Sequence, residues 1–249
     1  MSYCVALRLN SGLVFMADTR TNAGVDNVSR YTKIHTWSVL GELQIYLLSA
    51  GNLATSQAVI SHLQEGDKAP DGPKLGLMQV TSMFQAARLL GETLREVIGE
   101  MRDGGQEASK QFDATLILGG QVKGGKMSLY LIYPEGNFIE VSDDQPFFQI
   151  GETKYGKPIL VRAFDECLSF NEAVKLLVVS FDSTIKANVS VGMPLDLCIY
   201  ERDSLTPGHS QRLAEDNEYF QELSRLWGAK LKDAFGDLPD FQLSRPHRN

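Results

Sequence analysis

The sequence predicts an α+β domain in which mainly antiparallel sheets are covered by helices. Three observations carry that prediction: four strand-like runs fill the first fifty residues, long helical stretches separate them from further strand pairs, and no composition shift marks a linker. Runs of strands set off by paired helices point to stacked layers. A chain of 249 residues is long enough to bury roughly 70–75% of its unfolded surface. It is expected to form one domain, 1–249, without a metal or disulfide staple.

The elements follow in order. Tyr3 to Arg8 and Leu13 to Asp18 flank the turn residues Asn10-Ser11-Gly12, which is a hairpin signal. Lys33 to Leu40 and Leu43 to Ser49 repeat that pattern around Gly41-Glu42, and Asn52 to Gln64 then turns helical. After a loop rich in Gly, Asp and Pro from Gly66 to Gly76, a helical period starts at Leu77. It sets Met78, Met83, Ala87, Leu90, Leu94, Val97, Ile98 and Met101 on one face, a core stripe, until Asp103-Gly104-Gly105 stops it. Strands are expected at Ala114–Leu118, Met127–Tyr133, Phe138–Val141 and Phe147–Ile150. A helix over Asn171–Ser183, a last strand at Leu195–Tyr200 and an amphipathic helix over Glu215–Phe235 complete the order.

Composition excludes several functions. Net charge is -7, which speaks against a nucleic-acid groove, since phosphate binding needs clustered Lys and Arg. Cys4, Cys167 and Cys198 are scattered, as are His35, His62, His209 and His247, so neither a metal-ligand spacing nor a disulfide pair is indicated. No metal and no cofactor is expected. No run of about 18 apolar residues is present to span a membrane. The opening MSYCVALRLNSG has no secretory pattern, so the fold is expected to begin at the second or third residue and the protein to be cytoplasmic.

Residue types alone leave the chemistry open. Read singly, Ser2 is a small residue after Met, Asp18 and Lys33 are a surface ion pair worth about 0–1 kcal/mol, and Gly51 is a turn at a helix start. Their order says more. Ser2 follows the initiator Met, and Met16-Ala17-Asp18-Thr19-Arg20 ends the second strand. Lys33 heads the third strand, and Ser49-Ala50-Gly51-Asn52 joins the fourth strand to a helix. Leu116-Ile117-Leu118-Gly119-Gly120, Leu129-Tyr130-Leu131-Ile132-Tyr133-Pro134-Glu135-Gly136 and Ile150-Gly151 follow. Over about residues 2 to 200 this set resembles the proteasome β-type N-terminal-nucleophile hydrolases. The run Thr19-Arg20-Thr21-Asn22-Ala23-Gly24-Val25-Asp26-Asn27 points to their bacterial Anbu branch.

The resemblance implies a four-layer αββα sandwich and a peptidase or amidase. Ser2 is its nucleophile once Met1 is removed, and the base is the free α-amine of the same residue, whose ordinary pKa is near 7.7–8.0. Lys33 keeps that amine neutral by like-charge repulsion and is held by Asp18, while the Gly51 N–H stabilises the oxyanion. Lys33 is expected within hydrogen-bond reach of the Ser2 hydroxyl, and neither side chain is expected to fill core. The match departs at Gly151-Glu152-Thr153, where the family carries Gly-Ser-Gly, and at Asn188-Val189-Ser190-Val191-Gly192. Glu152, Asn188 and Ser190 are therefore candidates for support around the nucleophile. The resemblance also implies a homo-oligomer, a ring or spiral, acting on a peptide or peptide-like substrate, with no nucleic acid and no membrane as partner. The helical stretches Leu77–Met101 and Asn171–Ser183 are candidate contacts. No ATPase partner is inferable. Two alternatives stay open: an assembled scaffold or binding protein with a silent site, and an amidase for a special peptide-like substrate.

Overall fold

In a computed structural model of the chain, residues 2–22, 28–65, 68–69, 72–73, 76–103 and 112–242 are described. The first half contains β1 (Tyr3–Arg8), β2 (Gly12–Asp18), β3 (Arg20–Asn22), β4 (Val28–Arg30), β5 (Ile34–Val39), β6 (Leu43–Gly51), α1 (Leu53–Glu65), β7 (Lys68–Ala69), β8 (Gly72–Pro73) and α2 (Met83–Asp103). The second half contains β9 (Ala114–Val122), β10 (Ser128–Ile132), β11 (Phe138–Glu140), β12 (Phe147–Gly151), α3 (Lys157–Ala163), α4 (Phe170–Ala187), β13 (Leu195–Glu201), β14 (His209–Leu213) and α5 (Glu218–Gly236). Residues 1–215 and 216–249 form two compact units.

The first unit holds both sheets. The Asn10-Ser11-Gly12 turn pairs β1 with β2, Cys4 lying opposite Ala17. One antiparallel sheet runs β12-β1-β2-β13-β14 and the other β11-β10-β9-β6-β5. The strands β1, β2 and β6 are buried on both faces, which explains why they read as nearly continuous apolar runs. Between the sheets, Cys4, Ala6, Phe15 and Ala17 meet Tyr46, Leu48, Ala50 and Ile117, with Phe15 stacked on Tyr46 at 4.9 Å. On the outer side of the second sheet, α1 and α2 bury Val59, Leu90 and Leu94 against Leu47, Leu118 and Ile132. On the outer side of the first, α3 packs on α4 and α4 on β1 and β2, with the Tyr3 and Phe181 rings 4.5 Å apart. This is the αββα sandwich.

Helix ends follow local chemistry. Ser169 and Glu172 form a reciprocal capping box that starts α4. The helical period at Leu77 does not start a continuous helix: residues 77–79 form one 3-10 turn, and α2 begins at Met83. Side chains stop the run there, because Gln85 accepts the Thr81 amide and Ser82 accepts the Gln85 amide, which together cap a new N-terminus. Met78, expected on the core stripe, is 51% exposed, whereas Met83, Ala87, Leu90, Leu94, Val97 and Ile98 are buried. The expected loop 66–76 and the Gly104-Gly105 stop lie mostly outside the described residues. In the second unit, Asn217 caps α5 by accepting the Phe220 amide.

Candidate active site

The β1–β12 ladder continues one step beyond both strands. The Glu152 amide donates to the Ser2 carbonyl at 2.7 Å, next to the paired residues Tyr3 and Gly151. Gly151 has φ +83°, and a Cβ there would lie 1.9 Å from the Ser2 carbonyl oxygen. Only glycine permits this approach. Ser2 itself is half-buried.

Asp18 lies one residue beyond the Cys4–Ala17 pair of the hairpin, beside Tyr3. The Tyr3 amide, which is the peptide nitrogen following Ser2, donates to Asp18 Oδ1 at 2.8 Å. Lys33 Nζ donates to the same oxygen at 2.6 Å and to the Arg20 carbonyl at 2.6 Å, and the Gly192 amide reaches Asp18 Oδ2 at 3.4 Å. Asp18 is 0% and Lys33 4% exposed, so this is a buried pair and not the surface pair that residue types alone allow. Burial pushes the Asp18 carboxyl above the usual carboxylate range, against the opposite pull of the Lys33 ammonium and the two amides. An ammonium carries three donors. Two go to Asp18 and Arg20, and none reaches the Ser2 hydroxyl, which has no hydrogen-bond partner among the described residues.

The three support candidates come together. Asn188 caps the C-terminal end of α4, and its Nδ2 donates to Glu152 Oε2 at 2.8 Å. Its Oδ1 accepts from the Ser190 amide at 3.0 Å and the Ser190 hydroxyl at 2.6 Å. These bonds fix which end of the Asn188 amide faces Glu152. The same 188–192 loop reaches Asp18 through Gly192, and its Val189 carbonyl accepts Arg20 Nη1 at 2.8 Å. Arg20 and Gly192 are missed by the sequence pattern, because Arg20 enters through its own carbonyl and a guanidinium bond to a backbone carbonyl and Gly192 through its amide.

Gly51 ends β6 with φ +117°, where a Cβ would meet the Asp113 carbonyl at 2.4 Å. It stands at the same end of the sandwich as Ser2. The Cys4 thiol donates to the Ser49 carbonyl at 3.5 Å, and a Cβ on Gly151 would lie 3.5 Å from the Ala50 Cβ. The next residue, Asn52, accepts the Thr55 amide and starts α1, so Gly51 lies just ahead of a helix N-terminus and its positive field.

Cys4, two residues on from Ser2, carries a thiol that could also act as a nucleophile. It is fully buried, and burial pushes its thiol up more than the Lys33 charge draws it down, which keeps it an unreactive thiol. Among the described residues no cluster of His, Cys, Asp or Glu is placed to hold a metal ion, and no helix is long and apolar enough to cross a membrane.

The sandwich, with its strand opening at Ser2 and the buried Asp18–Lys33 pair beneath, has the fold of the N-terminal-nucleophile hydrolases. Solved structures define the branch. Anbu (ancestral beta-subunit) from Yersinia bercovieri superposes with a TM-score of 0.88 at 47% identity, covering 98% of this chain and 100% of its own. Anbu from Hyphomicrobium sp. strain MC1 gives 0.87 at 47% identity, with 97% and 100% covered. The Pseudomonas aeruginosa protein, solved as a helical assembly of the Anbu complex, gives 0.88 at 45%, with 96% and 98% covered. No protein-family model and no curated protein matches the sequence. The chain belongs to the Anbu family of proteasome-like bacterial β-subunits.

Proposed function

We propose that this protein is a peptidase or amidase that uses Ser2 as an N-terminal nucleophile inside a homo-oligomer, a ring or spiral, in the cytoplasm. The observation that carries the reading is the buried Asp18–Lys33 pair bonded through Asp18 to the Tyr3 amide, one residue from Ser2. An ion pair taken out of water costs several kcal/mol per ion before its attraction is counted, so stability alone is a weak reason to keep one. A fixed cation beside an α-amine has a chemical use, since it disfavours the ammonium and leaves a neutral base at neutral pH.

Once Met1 is removed, the Ser2 amine takes the hydroxyl proton as Oγ bonds to the substrate carbonyl carbon. Negative charge collects on the carbonyl oxygen, toward the Gly51 N–H. The scissile C–N bond breaks as the amine returns the proton to the leaving nitrogen, leaving an ester on Ser2. Water then attacks that ester and gives a proton to the same amine, and the C–Oγ bond breaks as the amine returns that proton to Oγ, releasing the acid and restoring the Ser2 hydroxyl and neutral amine. The third N–H of Lys33 is available to the Ser2 oxygen along this path. Assembly is supported by the helical assembly described for the Pseudomonas relative, and a reducing compartment by the three free thiols.

The test is turnover of a fluorogenic peptide library by assembled protein. Ser2→Ala abolishes it and Ser2→Thr retains it, while sedimentation stays far above 27.6 kDa in each. Equal turnover in the parent and Ser2→Ala, or a strict monomer at micromolar concentration, overturns the reading. A scaffold or binding protein with a silent site gives no Ser2-dependent turnover at all.

A further inference from the structure

Glu152 is a buried carboxylate, 6% exposed, with no cationic partner among the described residues. Among the described residues its side chain makes a single hydrogen bond, to Asn188 Nδ2 at 2.8 Å. A carboxylate offers about four acceptor positions, and a buried one lacking a cation is costly. Such a group persists where something else supplies the positive charge. Its own amide, bonded to the Ser2 carbonyl at 2.7 Å, puts it within one residue's reach of the Ser2 nitrogen. When Met1 is gone that nitrogen becomes a titratable amine.

We propose that Glu152 is the counter-charge of the Ser2 α-amine, a positioning residue that accepts one of its N–H groups and turns its lone pair toward the hydroxyl. The proposal rests on the reading of Ser2 as the first residue of the working protein, and it deepens that reading. The amine then stands between two charges of opposite sign. Lys33 favours its neutral form and Glu152 its protonated form, which poises the base near working pH. The other charged groups of the cluster are already committed: Asp18 to Lys33, and Arg20 to the Val189 carbonyl. Tyr3 and Cys4 are both pushed up by burial and stay neutral. Asn188, locked by two bonds from Ser190, keeps the carboxylate from turning away. It also ties Glu152 to the loop whose Gly192 amide meets Asp18, so both charges that act on the amine are held by one segment.

The experiment uses full-length protein prepared with Ser2 as its first residue, so the amine is present whether or not the site turns over. The rate of α-amine acylation by a dilute acyl donor is followed from acid to alkaline pH, with the N-terminal peptide read by mass spectrometry. Glu152→Gln is expected to move the amine's titration midpoint down by about one pH unit or more, while Ser2→Thr leaves it near the parent value. A Glu152→Gln midpoint within about 0.3 pH units of the parent overturns the proposal even if peptidase activity is found. If Glu152→Gln does not fold, Asn188→Ala decides. Without the amide that holds it the carboxylate is free to turn away from the amine and the midpoint falls, and a midpoint that stays or rises overturns the proposal.

Discussion

Lys33→Ala separates a buried ion pair from a surface one. The substitution removes the cation from a carboxylate that is 0% exposed and leaves it two amide donors, Tyr3 at 2.8 Å and Gly192 at 3.4 Å. Breaking a buried pair from one side costs about 3–5 kcal/mol. Three lost methylenes of the lysine stem add about 2 kcal/mol, and the two amides offset part of the sum. A loss of about 4 kcal/mol at pH 7 is expected, a large share of a typical 5–15 kcal/mol. The pH dependence has a definite sign. Burial already holds the Asp18 carboxyl up with its lysine present, and without the lysine it rises further. A carboxyl with a raised folded-state pKa contributes stability that is complete below the unfolded value, about 3.9, and is lost as pH climbs through the folded value. The deficit of Lys33→Ala therefore grows from pH 5 to pH 8. Urea unfolding followed by tryptophan fluorescence at fixed protein concentration measures it, and Asp18→Asn with Lys33→Met is expected to recover most of the loss at pH 7. A deficit under 1 kcal/mol at pH 7, flat with pH, refutes the reasoning. The same numbers make Lys33→Ala a poor knock-out of chemistry alone, because loss of activity would come with loss of fold.

Gly151→Ala forces a left-handed φ, costing about 1–2 kcal/mol, and drives a methyl to 1.9 Å from the Ser2 carbonyl oxygen. A total loss of about 3 kcal/mol in urea unfolding is expected, and a loss below 0.5 kcal/mol contradicts the geometry. His35 is half-buried, and burial lowers its imidazole pKa. Its depressed folded value contributes stability that is present above about pH 6.5 and lost as pH falls through the folded value. His35→Gln is expected to flatten the melting temperature between pH 7 and pH 5, and an unchanged slope removes His35 as the cause.

Much of the fold was legible because both-face burial writes β1, β2 and β6 as apolar runs, and because Asn10-Ser11-Gly12 marks its turn in residue type. What escaped lacks such a signature. Strand β14, His209–Leu213, is polar and exposed at four of five positions, an edge strand with no inward face to read. Helix α3 is seven residues long with a proline in its first turn, too short for a helical period to appear. The pair β3 and β4 has three residues in each strand. In the candidate site, Ser2, Asp18, Lys33 and Gly51 stand out only as an ordered set, since each residue alone is commonplace. The Glu152–Asn188–Ser190 chain was named residue by residue, but its connectivity depends on the C-cap of α4, which no spacing reveals. Nor does sequence show that the Asp18–Lys33 pair is buried. That is set by the layers closing around strand ends, and it reverses the expectation that Lys33 can be removed without cost to the fold.

The central claim is that Ser2 acts with its hydroxyl and its own amine together. An α′,β′-epoxyketone peptide tests both groups in one reaction, because its stable product is bonded to a hydroxyl and an amine of a single residue. Assembled protein is incubated with a panel of such peptides, and the adduct is located by intact mass and peptide mapping. The account predicts one doubly bonded adduct per chain, confined to Ser2 and absent in Ser2→Ala. An adduct on Cys4 or on the Lys33 side chain, or inhibition of peptide turnover with Ser2 left unmodified, contradicts the account.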